Sequence, residues 1–239
     1  MNKLIVEIQL PLYGTLGLTE MISSLDLNED QKQYIENLKA SSNQSLLLMN
    51  NVEDLFQLNN HSIEITPVPT HLHRLVDEMQ VVMRFAMESH QIEFTCALDD
   101  SMSKRPVLLD AARIRQILLS ILHHAVRNLY QARLHLLVSP ENPQKPDAGI
   151  RFELLEYRNS FTSEDMSRLQ VALPDEYSVN DKKVRDTGLG LHVSHRLLNM
   201  MHSGLFIEGI PNQGFRYSFV LHPEQGTPGA SEQDTAADA

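Results

Sequence analysis

A chain of 239 residues with a formal net charge of −11 and 42% hydrophobic residues can bury a substantial core in one or two domains. The negative charge argues against a surface built for nucleic acid or anionic lipid. The single cysteine, Cys96, excludes an internal disulfide and fits a reducing cytoplasm, and no apolar run approaches the roughly 18–20 residues that cross a bilayer. The opening "MNKLIVEIQLPLYG" has one lysine and an apolar stretch broken by Glu7 and Gln9, a poor signal peptide. A cytoplasmic location with no nucleic-acid partner and no membrane insertion is the expectation.

Residues 3–23 and 30–58 are expected to be helices. Pro11 belongs near the beginning of the first or at a kink, because it has no N–H to donate. Asn28, followed by Glu29 and Asp30, is an N-cap candidate for the second. There Ile35, Leu38, Met49, Val52 and Phe56 recur at helical spacings as one apolar stripe. Two helices joined this tightly form a hairpin, which buries too little alone. It needs either a second copy, giving a four-helix bundle, or its own downstream domain.

From about residue 62 strands and helices alternate. Strands are expected at 61–69, 92–98, 107–110, 132–138, 149–157, 204–210 and 214–221. A helix over 71–89 turns Leu75, Met79, Val82, Met83 and Ala86 to one side. A second over 111–129 turns in Ile114, Ile117, Leu118, Ile121, Leu122 and Ala125, and a third begins near Gly188 with Met200 and Met201 on its core side. This order suggests a two-layer α/β sandwich with helices on one face of a sheet. Residues 223–239 hold four acids, no base and no large apolar residue, the composition of a disordered tail.

Gly188 and Gly190 in "RDTGLGLHVSHRLLNMMHSG" (185–204) raise the question of a nucleotide site, since glycines at a helix mouth let backbone N–H groups approach a phosphate. Three stretches answer together. "PLYGTLGLTEMISSLDLNEDQKQYIENLKASSNQSLLLMNNVEDLFQL" resembles the dimerisation and phosphotransfer hairpin of sensor histidine kinases. "LDAARIRQILLSILHHAVRN" is similar to their N box, and "DTGLGLHVSHRLLNMMHSGLFIEGIPNQGFRYSFVL" to their last glycine box and closing strands. The resemblance spans residues 4–222 and is nearest the hybrid-kinase branch. It implies an α+β fold: a helical hairpin (1–61) forming a dimeric four-helix bundle, then an ATPase-type α/β sandwich (62–222), then the acidic tail (223–239).

The same resemblance implies damaged chemistry. The family's His-Glu-x-x-x-Pro falls on "VEIQLP", with Glu7 and Pro11 in place and Val6 at the phosphate-accepting position. An isopropyl group has no nucleophilic atom. Neither helix offers a substitute histidine before His61. The Asn-x-x-x-Asn of the N box falls on Ser120 and His124, and an imidazole is a poor magnesium ligand. Arg127 matches the family's lysine. The adenine-binding aspartate becomes Glu156, and the two glycines after it become Arg158 and Ser160. Gly188 and Gly190 then persist either for the turn itself or for a metal-free hold on phosphate. Lys182, Lys183 and Arg185 fall in the segment equivalent to the ATP lid.

Other features have plain explanations. Adjacent His123 and His124 diverge on a helix, and His192 with His195 lack matching ligands nearby, so polar-face positions are expected, with His124 lining a pocket, rather than a metal site. Ser103–Arg105 reads as solvated loop charge. The functional expectation is a catalytically impaired module of bacterial two-component signalling that forms a homodimer through Ile35, Leu38, Met49, Val52 and Phe56. Its partner is a response-regulator receiver domain or another histidine kinase. With the hairpin motif so near the first residue, any signal is expected to arrive through that partner. No catalytic residue, metal or cofactor is expected, apart from weak ATP binding without magnesium. The alternatives are an ATP-dependent histidine kinase with reworked motifs and a phosphotransferase-like relay, against which Val6 speaks.

Overall fold

The computed structural model describes residues 2–102, 106–127, 129–145, 148–157, 188–210 and 213–223. Helix α1 (Asn2–Ser23) and helix α2 (Glu29–Asn59) form the hairpin. Pro11 lies inside α1, well past its beginning, because the helix already starts at Asn2. Asn28 caps α2 as its sequence suggests. Its side chain accepts from the Gln31 N–H at 2.9 Å while the Gln31 side chain accepts from the Asn28 N–H at 3.0 Å, a reciprocal capping box. Higher up, Gln9 donates to Asn50 at 2.9 Å and sets the two helices in register.

One face of this hairpin is apolar and bare. Val6, Leu10, Tyr13, Leu18 and Met21 on α1 are exposed, as are Tyr34, Leu38 and Leu48 on α2. The stripe of five expected at the dimer interface divides in the structure. Ile35 is buried within the single chain, Met49 and Phe56 are half-buried, and Leu38 and Val52 remain exposed. A 31-residue helix touching a short partner at one end and a whole domain at the other cannot present one unbroken stripe to one surface.

Beyond the hairpin come β1 (Val68–Thr70), α3 (Leu72–Ser89), β2 (Glu93–Leu98), β3 (Val107–Leu109), α4 (Ala111–Arg127), β4 (Arg133–Pro140), β5 (Ile150–Tyr157), α5 (Leu189–Met200), β6 (Phe206–Ile210) and β7 (Gly214–Leu221). Strands β2-β4-β5-β7-β6 form the main sheet, parallel only between β2 and β4; β1 and β3 form a small antiparallel pair. The β4–β5 hairpin pairs Leu134 with Glu156 and Leu136 with Leu154, and the strict alternation puts Phe152, Leu154 and Glu156 on one face. That face and the three helices share a core containing Met79, Met83, Ile114, Ile117, Leu122, Phe152 and Phe219.

Local departures have local causes. The strand expected over 61–69 shrinks to Val68–Thr70, since Pro67 and Pro69 restrict ladder bonding. On α3, Val82 is 51% exposed while Val76 and Met87 are buried, so the apolar face is rotated from the expected one. Met200, at the end of α5, is exposed too, because the helix stops there and turns away. Asp110 starts α4: it accepts from the Arg113 N–H at 3.0 Å and, from the other side, the Thr66 N–H at 2.9 Å.

The C-terminal half of α2 belongs to the second domain as much as to the hairpin. Leu55 and Leu58 join the main core, and α2 packs on α5. Arg113 donates to Asp54 at 3.0 Å, and Gln116 donates to the other oxygen of that carboxylate. Arg196 donates to the Asn59 side chain and, at 3.4 Å, to the Leu58 carbonyl. Such packing onto the downstream domain is one of the two remedies open to a lone hairpin. His192, expected on a polar face, is buried on α5 instead. Burial, with Arg196 and His195 nearby, pushes its pKa down to about 4.

Two stability predictions follow from these contacts. Asn28→Ala removes half of the capping box and is expected to cost about 1 kcal/mol, read as a lower urea midpoint with unchanged slope. His192 is neutral when folded and protonates in the unfolded chain near its ordinary pKa. Its contribution is therefore intact above about pH 6.5 and is lost as pH falls towards 4. His192→Gln should flatten the fall in melting temperature between pH 7 and pH 5 relative to the parent chain.

Candidate functional site

Helix α4 carries Ser120 and His124 four residues apart, one turn along the same side. Ser120 is buried against the start of α5, and His124 is half-buried. Gly188 is the N-cap of α5 with φ 88° and ψ 141°, a conformation that a side chain strongly disfavours. A Cβ there would meet only His124 Nδ1, at 4.0 Å. Gly190 is retained for a different reason. A Cβ on it would stand 3.3 Å from Asn51 Nδ2 and 3.4 Å from Ser120, so the side chains of α2 and α4 would have to give by a few tenths of an ångström. One glycine answers to backbone geometry and the other to packing.

Glu156 sits on the inner face of β5, buried, opposite Phe215 of β7. The Tyr217 hydroxyl donates to its Oε2 at 3.4 Å, and the Tyr217 ring meets the His124 ring edge-on with centroids 6.1 Å apart. Tyr217 thus links two positions that the sequence singled out separately. Neither Tyr217 nor Asn51 was found by sequence reasoning. The period-two pattern of "GFRYSFVL" does place Tyr217 inward, whereas nothing in the α2 sequence marks Asn51 as touching a glycine turn. Arg127 ends α4 exposed. Arg158, Ser160, Lys182, Lys183, Arg185, Ser103–Arg105 and the acidic tail from residue 224 lie outside the described residues.

The donor set facing the turn is a serine hydroxyl, an imidazole and an asparagine amide. Magnesium wants several hard oxygen ligands in octahedral array, and among the described residues no group of three or more His, Cys, Asp or Glu side chains is placed to hold a metal ion. Of the three, the imidazole is the poor magnesium ligand. Among the described residues, the backbone N–H groups at the start of α5 are a phosphate-directed feature of this turn. Cys96 supplies no nucleophile either, since burial pushes its thiol up to about 12. His123 is exposed and His195 half-buried, while His192 points inward.

On the hairpin, Val6 is 58% exposed and Glu7 beside it is exposed. The position is open enough for a partner to reach, and its side chain is aliphatic. No helix among the described residues is long and apolar enough to cross a membrane.

No family model matches the chain. Curated relatives do. The signal transduction histidine-protein kinase BarA of Escherichia coli K12 is 22% identical over 216 residues, covering 90% of this chain and 23% of BarA. Hybrid signal transduction histidine kinase B of Dictyostelium discoideum is 23% identical, over 90% of this chain and 11% of its own. The sensor protein GacS of Pseudomonas syringae is 23% identical, over 90% and 24%. The chain therefore spans at most about a quarter of these relatives. Among solved structures, full-length ShkA in complex with AMPPNP superposes with a TM-score of 0.64 at 24% identity, covering 93% of this chain and 45% of ShkA. The histidine kinase AdeS of Acinetobacter baumannii gives 0.53 at 15% identity, over 91% and 93%. Histidine kinase ThkA, solved with the response regulator TrrA, gives 0.54 at 17% identity, over 94% and 61%. Along nine-tenths of its length the chain is similar in sequence to histidine kinases, and it shares the helical hairpin and mixed sheet of these structures.

Proposed function

We propose that this chain is a non-phosphorylating member of the family that works by binding, as a homodimeric module in two-component signalling. The observation that carries the proposal is Val6: an aliphatic, solvent-exposed side chain at the position aligned with the phosphate-accepting histidine. An exposed imidazole there would accept a phosphoryl group; a valine cannot. The serine and imidazole at the positions of the magnesium-binding box support the same reading, as does the lack of a described carboxylate cluster. ATP binding is then weak, without magnesium, and rests on the Gly188 turn; the AMPPNP in the ShkA structure supports a nucleotide-binding ancestry for the fold.

The bare hairpin face supports a binding role. Leu10 at 71% exposure and Met21 at 69% are large apolar groups that a soluble chain rarely leaves uncovered in numbers. The proposed occupants are a second copy along α2 and, on α1, a response-regulator receiver domain or another histidine kinase. The ThkA–TrrA complex supports a receiver as the partner class.

The deciding experiment offers the full chain radiolabelled ATP with magnesium and, separately, phosphorylated receiver domains. The expected result is no acid-labile label on the chain in either case, alongside measurable receiver binding by calorimetry. Label on any histidine overturns the proposal. The dimer has its own test. Leu38 is 47% exposed in the single chain, so Leu38→Asp leaves the monomer's packing intact and is expected to halve the mass seen by light scattering. An unchanged mass removes Leu38 from the interface.

A further inference from the structure

The face of the main sheet turned away from the helices holds a depression of about 420 Å³ over β2, β4 and β5. Phe94, Leu134, Leu136 and Leu154 turn towards the core, so the alternating residues Glu93, Thr95, Arg133, His135 and Tyr157 stand on the open face. Register sets them in two rows: Glu93 beside Arg133 beside Tyr157, and Thr95 beside His135. Thr95 Oγ1 and His135 Nδ1 share a hydrogen bond of 2.6 Å, which orients the ring and leaves Nε2 outside that bond.

Glu93 and Arg133 are neighbours of opposite charge on adjacent strands, an arrangement that ordinarily closes into an ion pair. Here no ion pair joins them among the described residues. The Arg133 guanidinium lies instead over the Tyr157 ring, 5.7 Å from its centroid, while Glu93, two strands from Tyr157, stays exposed. An anion alone would be drawn to Arg133 and repelled by Glu93, and a cation alone meets the reverse. A ligand carrying both charges a short distance apart suits both groups. We propose that this depression binds a free α-amino acid with an uncharged polar side chain, its ammonium on Glu93 and its carboxylate on Arg133. The side chain then reaches Thr95 and His135 Nε2, and the Tyr157 ring supplies an apolar wall. The site is on the opposite face of the sheet from α5 and stands whether or not the chain transfers phosphate.

Titration of the isotope-labelled full chain with L-glutamine, followed by amide NMR shifts, tests it. Saturable shifts at residues 93–95 and 133–135 are expected in the millimolar range, because the charges that hold the ligand are exposed. Glutaramic acid, which lacks the amine, and 4-aminobutyramide, which lacks the carboxylate, are each expected to bind about tenfold or more weakly. E93Q and R133Q are expected to weaken L-glutamine by a similar factor, and both positions are exposed, so the variants keep the sheet. No saturable shift at these residues up to about 10 mM L-glutamine overturns the proposal. Glutaramic acid binding as well as L-glutamine, or E93Q binding as well as the parent, makes the depression a plain anion site and overturns it too.

Discussion

A carboxylate held at both oxygens where three helices meet determines how the halves of this molecule sit together. Asp54 comes from the hairpin, and its partners Arg113 and Gln116 from the domain that carries the sheet. A charge largely removed from water is stabilised by partners at both oxygens. With it made, Leu55 and Leu58 enter the sheet domain's core and Asn51 lies on the glycine turn. The second helix is thereby divided in use: its early turns serve the hairpin, and its last turns are part of another domain.

This division explains the contrast between the two ends of the hairpin. Near the sheet domain α2 is covered by its own chain. Further away Tyr34, Leu38 and Leu48, with Leu10, Tyr13 and Met21 of α1, face solvent. Apolar exposure on that scale is unfavourable for an isolated chain and reasonable for one whose work is association. Val6, an aliphatic side chain, stands exposed among these apolar residues.

The start of α5 carries two glycines with structural roles of their own. One takes φ 88°, which suits a residue without a side chain, and the other lies close to Asn51 and Ser120. Both features are structural, and both operate without ligand. Around them stand a hydroxyl, an imidazole and an amide, of which the imidazole is a poor ligand for magnesium. Glu156, buried and within reach of the Tyr217 hydroxyl, is built into the inner face of the sheet.

Period and punctuation in the sequence were enough to place nearly every element: the hairpin helices, the cap at Asn28, the inward faces of α4, β5 and β7, and the glycine mouth of α5. These are local properties, written in the spacing of apolar residues and in the few side chains that satisfy helix ends. The motif positions were legible for the same reason, since Val6, Ser120 and His124 are read by offset alone. Tertiary structure alone decided what touches what. That Asn51 meets Gly190, that Asp54 reaches Arg113 at a sequence separation of 59, that His192 turns inward and Val82 outward, depends on how whole helices are rolled and docked. A helix's apolar stripe specifies that it must be buried, but several rolls bury nearly the same area; side-chain fit and the pairing of a few buried polar groups choose between them.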